Sequence, residues 1–113
     1  MQRIYTDGSG DGRFAWFNET TGENWCGEER GVTNNQAEYL AVYHALKSVK
    51  AEEGEVLSDS KLVVNQLNRE WHIKDDNLRE LFDRVHGVIR SKGLKVKFVW
   101  VARSKNKAGK YLG

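Results

Sequence analysis

The chain has 113 residues, of which 39% are hydrophobic and 30% charged, and a formal net charge of +2. That composition predicts one globular domain over residues 1–113 with a single core. No apolar run approaches the ~18 residues of a membrane span, no signal-peptide pattern opens the chain, and the lone Cys26 cannot close an internal disulfide, so the expectation is a reducing, cytoplasmic setting with no membrane contact.

Gln2–Thr6 alternates in strand fashion and runs into the Gly-rich turn Asp7-Gly8-Ser9-Gly10-Asp11-Gly12. Arg13–Asn18, rich in aromatics, predicts a second strand. Thr20-Thr21-Gly22 is turn chemistry, and Asn24–Arg30 is a weaker third strand. Three strands joined by short turns make an antiparallel meander. Thr33 and Gln36 have the spacing of a capping box, which opens a helix predicted from Asn34 to Val49. Ala37, Tyr39, Leu40, Ala41, Val42, Tyr43, Ala45 and Leu46 make this helix apolar almost all round, so it belongs in the middle of the protein. Glu55–Leu57 predicts a short strand ending at Asp59, and Ser60–Trp71 a helix with Leu62, Val63, Leu67 and Trp71 inward. Asp75 or Asp76 caps a further helix, whose Leu78, Leu81, Phe82, Val85 and Ile89 recur at helical spacing until Gly93 ends it. Leu94–Val101 is the last strand, with Leu94, Val96, Phe98 and Trp100 on one face. One or two helical turns are expected in Arg103–Gly113.

The order β-β-β-α-β-α-α-β predicts an α/β fold: a five-stranded mixed sheet, an antiparallel meander plus parallel strands, with helices packed on it. Ligands of such sheets bind beyond the carboxyl ends of the parallel strands. Asp7 ends the first strand and Asp59 follows the fourth, so their carboxylates converge if those strands are neighbours. Glu38 lies near the start of the apolar helix, where a bare carboxylate is costly unless paired or bound to metal. It joins the other two if that helix crosses the junction. Taken singly, Asp7 reads as turn chemistry, Glu38 as a surface residue and Asp59 as a helix cap. Together they suit hard divalent cations and metal-dependent phosphate chemistry.

Other residues carry plainer readings. His44 is expected as a packed, hydrogen-bonded imidazole, and His72 and His86 at the surface. Trp16, Trp25, Trp71 and Trp100 are expected in the core or at its rim. The charge is lopsided: residues 90–113 hold eight basic residues and no acid, while residues 1–89 hold ten basic residues against sixteen acids. A basic end beside an acidic remainder suits contact with a polyanion, or is a solvated tail.

Tyr5-Thr6-Asp7-Gly8-Ser9, Thr33-Asn34-Asn35-Gln36-Ala37-Glu38 and Ser58-Asp59-Ser60, in that order, resemble the type 1 ribonuclease H family. The order and spacing of the elements agree over nearly the whole chain. The resemblance implies an endoribonuclease that hydrolyses the RNA strand of RNA/DNA hybrids with two Mg²⁺ or Mn²⁺ ions and leaves 5′-phosphate and 3′-hydroxyl ends. It makes Asp7, Glu38 and Asp59 the metal ligands, with Gly8 beside them and Asp7 shared by both ions. Gly8, Ser9, Asn34, Asn35 and Gln36 match places that face the RNA strand, where amides suit 2′-hydroxyls. Thr33 and Lys61 are candidates for backbone phosphates. The hybrid is the implied partner, with a monomeric domain and no obligate protein partner.

The chain departs from the family pattern in three ways. A fourth carboxylate usually opens a last short helix, yet no acid follows Asp83. One register puts Asn106 there, the other Lys110; the first is preferred because an Asn carbonyl can ligate Mg²⁺ and an ammonium repels it. No His lies beyond His86, so Arg103 and Lys105 occupy the loop where many relatives carry one and are candidates for phosphate instead. Only Trp71–Asp76 joins two helices between which some relatives insert a basic segment. Rival readings are a junction resolvase or other nuclease of the same fold, a hybrid-binding module without activity, and a protein-interaction domain.

Overall fold

The computed structural model describes residues 1–112. The elements are β1 (Gln2–Gly8), β2 (Arg13–Asn18), β3 (Asn24–Glu28), α1 (Asn34–Ser48), β4 (Glu53–Ser58), α2 (Lys61–Leu67), α3 (Asp76–Lys92) and β5 (Lys95–Trp100), then single 3₁₀ turns at Arg103–Lys105 and Gly109–Tyr111. The strands form one sheet in the order β3-β2-β1-β4-β5. β1, β2 and β3 pair antiparallel, and β4 runs parallel to both β1 and β5. This is the mixed five-stranded sheet that the element order predicts, and β1 and β4 are neighbours.

The three helices cover one face. Ile4, Phe14, Trp16, Val56 and Phe98 from the sheet pack with Ala37, Leu40, Val42 and Leu46 of α1 and with Leu78, Leu81, Phe82 and Val85 of α3. α1 is central as its all-round apolarity predicts, and the Thr33–Gln36 capping box is formed in both directions. At its other end, the free carbonyls of Leu46, Lys47 and Val49 accept from the Lys92 ammonium at 2.9, 2.9 and 2.6 Å. A cation at a helix C-terminus both satisfies those carbonyls and complements the helix dipole. The opposite face of the sheet holds a smaller cluster in which Tyr5, Leu57, Phe17 and Val101 pack with Ala108 from the C-terminal turns.

α2 ends at Leu67 rather than at the expected Trp71. The Arg69 and Glu70 N–H groups donate to the carbonyls of Gln66 and Asn65, at 3.0 and 2.8 Å. These are the two bonds of a Schellman ending, and Arg69 takes the left-handed position with φ 63°. Gly is usual there; a residue with a Cβ adds roughly 1–2 kcal/mol of strain. The Asn68 side chain donates to Phe98 O at 3.0 Å, which fixes the stop against β5. No Gly or Pro marks this end, and the stop depends on a tertiary contact. Trp71 is consequently not an inward helix residue but 49% exposed.

Three other sequence expectations change. His86 is not a surface residue: it packs between Phe82 and Phe98, at 4.4 and 6.3 Å between ring centres, beside Leu67 O. Of the four tryptophans only Trp16 is buried; Trp25 lies exposed on the edge strand against His44, and Trp100 is exposed at the end of β5. His44 is packed as expected, stacked on Phe14, but its ring makes none of the expected hydrogen bonds among the described residues.

Candidate active site

The register aligns Thr6 with Ser58 and Ser58 with Trp100, so the parallel pairing of β1, β4 and β5 ends at one edge. Asp7, still paired with β2, and Asp59, just past β4, lie at that edge. Glu38 comes from the first turns of α1, which lies directly over Gly8. A Cβ on Gly8 would fall within 2.5 Å of the Ala37 carbonyl carbon, so only glycine allows the helix this close. The approach lets the Gly8 N–H donate to the Glu38 carboxylate, and it also donates to Asp7 Oδ1 at 3.0 Å. One carboxylate oxygen from each of Asp7, Glu38 and Asp59 lies within 4.8 Å of the others.

Three acids this near one another repel, and Glu38 is only 4% exposed. Its burial, first of all, and then the charge of Asp7 push its pKa up to about 9. Asp7 is also raised, by burial and then by the charge of Asp59, while Arg103 pulls it down. The cluster therefore demands positive charge. Hard carboxylate oxygens on three sides fit a divalent cation, and the charge of Arg103 acts on Asp7 in the same sense.

Asn106 is buried at the cluster. Its Nδ2 donates to Thr6 O at 2.9 Å and to Asp59 Oδ2 at 3.3 Å. Its Oδ1 accepts from Ala108 N–H at 3.0 Å. One carbonyl and one N–H thus fix which end of the amide is which. The carbonyl expected to face a cation instead caps the last turn, and Asn106 meets the acids as a donor. Lys110, the alternative residue, lies over the rings of Phe17 and Tyr111 at 5.5 and 5.2 Å. Gly109 passes so close to Asp7 that an added Cβ would lie 3.3 Å from Oδ2.

The remaining candidates divide. Thr33, Asn34 and Asn35 are exposed at the start of α1, near Glu38. Gln36 gives its Oε1 to the Thr33 N–H at 2.8 Å. Ser9 is bound into its own turn by Asp11 and Arg13. Lys61 holds its ammonium 4.9 Å from the centre of the Trp100 ring. Lys105 lines a shallow depression with Tyr5 and Lys107, beside Asn106. The basic C-terminal stretch does not make one surface: Lys92 caps α1, Lys107 pairs with Glu19, and Lys97 stands opposite Glu55 in the sheet.

Trp100 is the residue that sequence reasoning did not assign to the site. Its Nε1 donates to Asp59 O at 3.1 Å, and its exposed ring carries Lys61. The available signal was its place at the end of a strand parallel to the one that leads to Asp59.

A mixed sheet with three helices on one face and a carboxylate cluster at the ends of its central strands is an α/β fold with acids placed to hold a divalent cation. The family model for RNase H matches residues 2–108, and the chain belongs to that family. It is similar to the RNase H1 structure from Halobacterium salinarum, with 27% identity and TM-score 0.86, covering 96% of this chain and 92% of that one. It is also similar to LC11-RNase H1 solved in complex with an RNA/DNA hybrid, with 26% identity and TM-score 0.87, covering 97% of this chain and 92% of that one. In sequence it is 38% identical over 78 residues to the bifunctional protein Rv2228c of Mycobacterium tuberculosis, covering 66% of this chain and 21% of that protein. It is 32% identical over 79 residues to YpeP of Bacillus subtilis, covering 66% and 35%. The chain thus spans about a fifth of the length of the mycobacterial relative and about a third of YpeP. Among the described residues no helix is long and apolar enough to cross a membrane.

Proposed function

We propose that this chain works as a single, monomeric, cytoplasmic ribonuclease H domain that hydrolyses the RNA strand of RNA/DNA hybrids, leaving 5′-phosphate and 3′-hydroxyl ends. The observation that carries this reading is the gathering of Asp7, Glu38 and Asp59 within reach of one cation. These three would hold Mg²⁺ or Mn²⁺, two ions when substrate is present, with Gly8 at their margin. Ions held by these residues would supply Lewis acidity, for lowering the pKa of a water and for offsetting charge on the leaving 3′ oxygen.

The chain's own groups set the geometry for that chemistry. The Gly8 N–H holds Glu38, the Trp100 indole holds the Asp59 main chain, and the Asn106 amide holds the Asp59 carboxylate. Asn106 takes the place of the relatives' fourth acid; its capping of the last turn supports that register, as does the outward course of Lys110. In this reading it orients Asp59 through its Nδ2. Gly8, Ser9, Asn34, Asn35 and Gln36 would face the RNA strand. The exposed Asn34 and Asn35 amides suit 2′-hydroxyls, which both donate and accept. Thr33, Lys61, Arg103 and Lys105 would meet phosphates. A relative solved with a hybrid supports the substrate class.

The test is cleavage of a labelled RNA/DNA hybrid in Mg²⁺ and in Mn²⁺, with single-stranded RNA and duplex RNA as controls. Hybrid alone should be cut, and Asp59→Asn should reduce cutting to background while the fold persists. Asn106→Asp should retain or raise activity in Mg²⁺; if Lys110→Asp does so instead, the other register holds. A hybrid bound but uncut in either metal would make the domain a binding module, the reading that a missing fourth carboxylate favours.

A further inference from the structure

Two ammonium groups belong to residues beside the carboxylate cluster, and neither pairs with it. Lys61 follows Asp59 by two residues, nearer along the chain than any other charged residue. Lys110 follows Gly109, where an added Cβ would lie 3.3 Å from Asp7 Oδ2. Among the described residues neither lysine is in an ion pair. Three gathered acids attract any cation within reach, so another attraction must hold the two ammonium groups elsewhere.

Aromatic rings supply it. The Lys61 ammonium lies 4.9 Å from the centre of the Trp100 ring. That of Lys110 lies 5.5 and 5.2 Å from the centres of Phe17 and Tyr111, two rings 5.7 Å apart. Each distance is within the roughly 6 Å over which a ring face attracts a cation. Lys61 is also the first residue of α2, whose first turn contains no acid. A cation is disfavoured at that end of a helix, so its own helix gives Lys61 no counter-charge.

The Trp100 ring is itself fixed beside the acids. Trp100 stands opposite Ser58 in the sheet, and its Nε1 donates to Asp59 O at 3.1 Å. The ring that carries the ammonium is thus anchored to the residue whose carboxylate that ammonium would neutralise. An ammonium settled on Asp59 would compete with a divalent cation for the same oxygens.

We infer that Trp100 is a positioning residue for the cation site: its ring holds the Lys61 ammonium off Asp59 and leaves that carboxylate free for a divalent cation, as Phe17 and Tyr111 hold Lys110 off Asp7. The inference rests on the three acids binding such a cation. Its test is calorimetric titration with Mn²⁺, without nucleic acid, of the wild type, Trp100→Leu, Trp100→Phe, Lys61→Met and Trp100→Leu/Lys61→Met. Trp100→Leu frees Lys61 and should weaken Mn²⁺ binding about two- to fivefold, the worth of an exposed ion pair that the metal must displace. Trp100→Phe keeps a ring face and loses the indole N–H; it should bind Mn²⁺ more tightly than Trp100→Leu. Lys61→Met alone should change little, because its ammonium is already off the acids. Added to Trp100→Leu it should restore the affinity, which neither lost packing nor the lost bond to Asp59 O would allow, and the cycle isolates that coupling. Melts in EDTA check that each variant is folded, and Trp100→Met replaces Trp100→Leu if the latter is not. Unchanged Mn²⁺ affinity in Trp100→Leu, or a loss that Lys61→Met does not restore, would overturn the positioning role and leave the cation site intact. A wild type that binds no Mn²⁺ would overturn both.

Discussion

At Glu38 the usual 4.5 of a glutamate is raised to about 9 by burial and by the charge of Asp7. The folded protein therefore holds a proton that the unfolded chain releases. Stability from that proton is complete below about 4.5 and is lost as pH rises through about 9. Asp7 shifts in the same direction and adds to the trend. In EDTA, the melting temperature should fall between pH 5 and pH 8.5, and Glu38→Gln should flatten that fall. Its amide oxygen can still accept from Gly8 N–H, but it carries no charge. Parallel pH profiles for the two proteins would remove Glu38 as the source. The three acids were legible in the sequence because each sits where an element starts or stops, and element ends are where sheet topology brings side chains together. Trp100 was not. Its alternation with Phe98 and Val96 predicted an inward ring, and the inward direction is right. The strand, however, runs past the helical layer, so the ring emerges beside Lys61 instead of entering the core.

Element boundaries followed local chemistry wherever that chemistry was complete. Thr33 with Gln36, Asp75, and Gly93 in the left-handed conformation mark helix ends in the sequence and in the fold. α2 escaped because its stop requires Phe98, thirty residues away. β4 reads as three residues in the sequence but pairs over six, since Glu53 and Gly54 are ordered by Lys95 and Val96 across the sheet. The end of α3 also does a task no pattern announces: Lys92 reaches three carbonyls of the α1 terminus. Charged hydrogen bonds contribute roughly 1.5–3 kcal/mol each when well enclosed, and less for an exposed lysine. Lys92→Met should cost about 1–2 kcal/mol in urea unfolding. Spectral fraying confined to the α1–α3 contact would accompany it; an unchanged midpoint would show that solvent replaces the ammonium without loss.

The molecule as a whole keeps its apolar core apart from its acids. The large cluster beneath the sheet contains none of Asp7, Glu38 and Asp59, so removing a cation should leave the fold standing. Adding one should raise the melting temperature, by linkage with about 2.7 kcal/mol once the free metal reaches a hundred times its dissociation constant. Melts in EDTA and in rising Mg²⁺ or Mn²⁺ measure this directly, and Asp7→Asn should abolish the shift. A wild-type melting temperature indifferent to both metals would remove the cation assignment. The lopsided charge divides at this scale: Lys92 and Lys107 became separate fastenings in the fold, while Arg103 and Lys105 stay exposed.

One such fastening links opposite ends of the chain. Asn106 joins Thr6 across a separation of 100 residues, and the same amide reaches Asp59. On a ribosome, all three acids emerge long before that amide does. A nascent or partly opened chain could gather its carboxylates yet leave Asp59 unaligned. The hold on Asp59 therefore waits on a contact some fifty residues later in the sequence, and Asn106→Ala should leave the three acids gathered while loosening Asp59 alone.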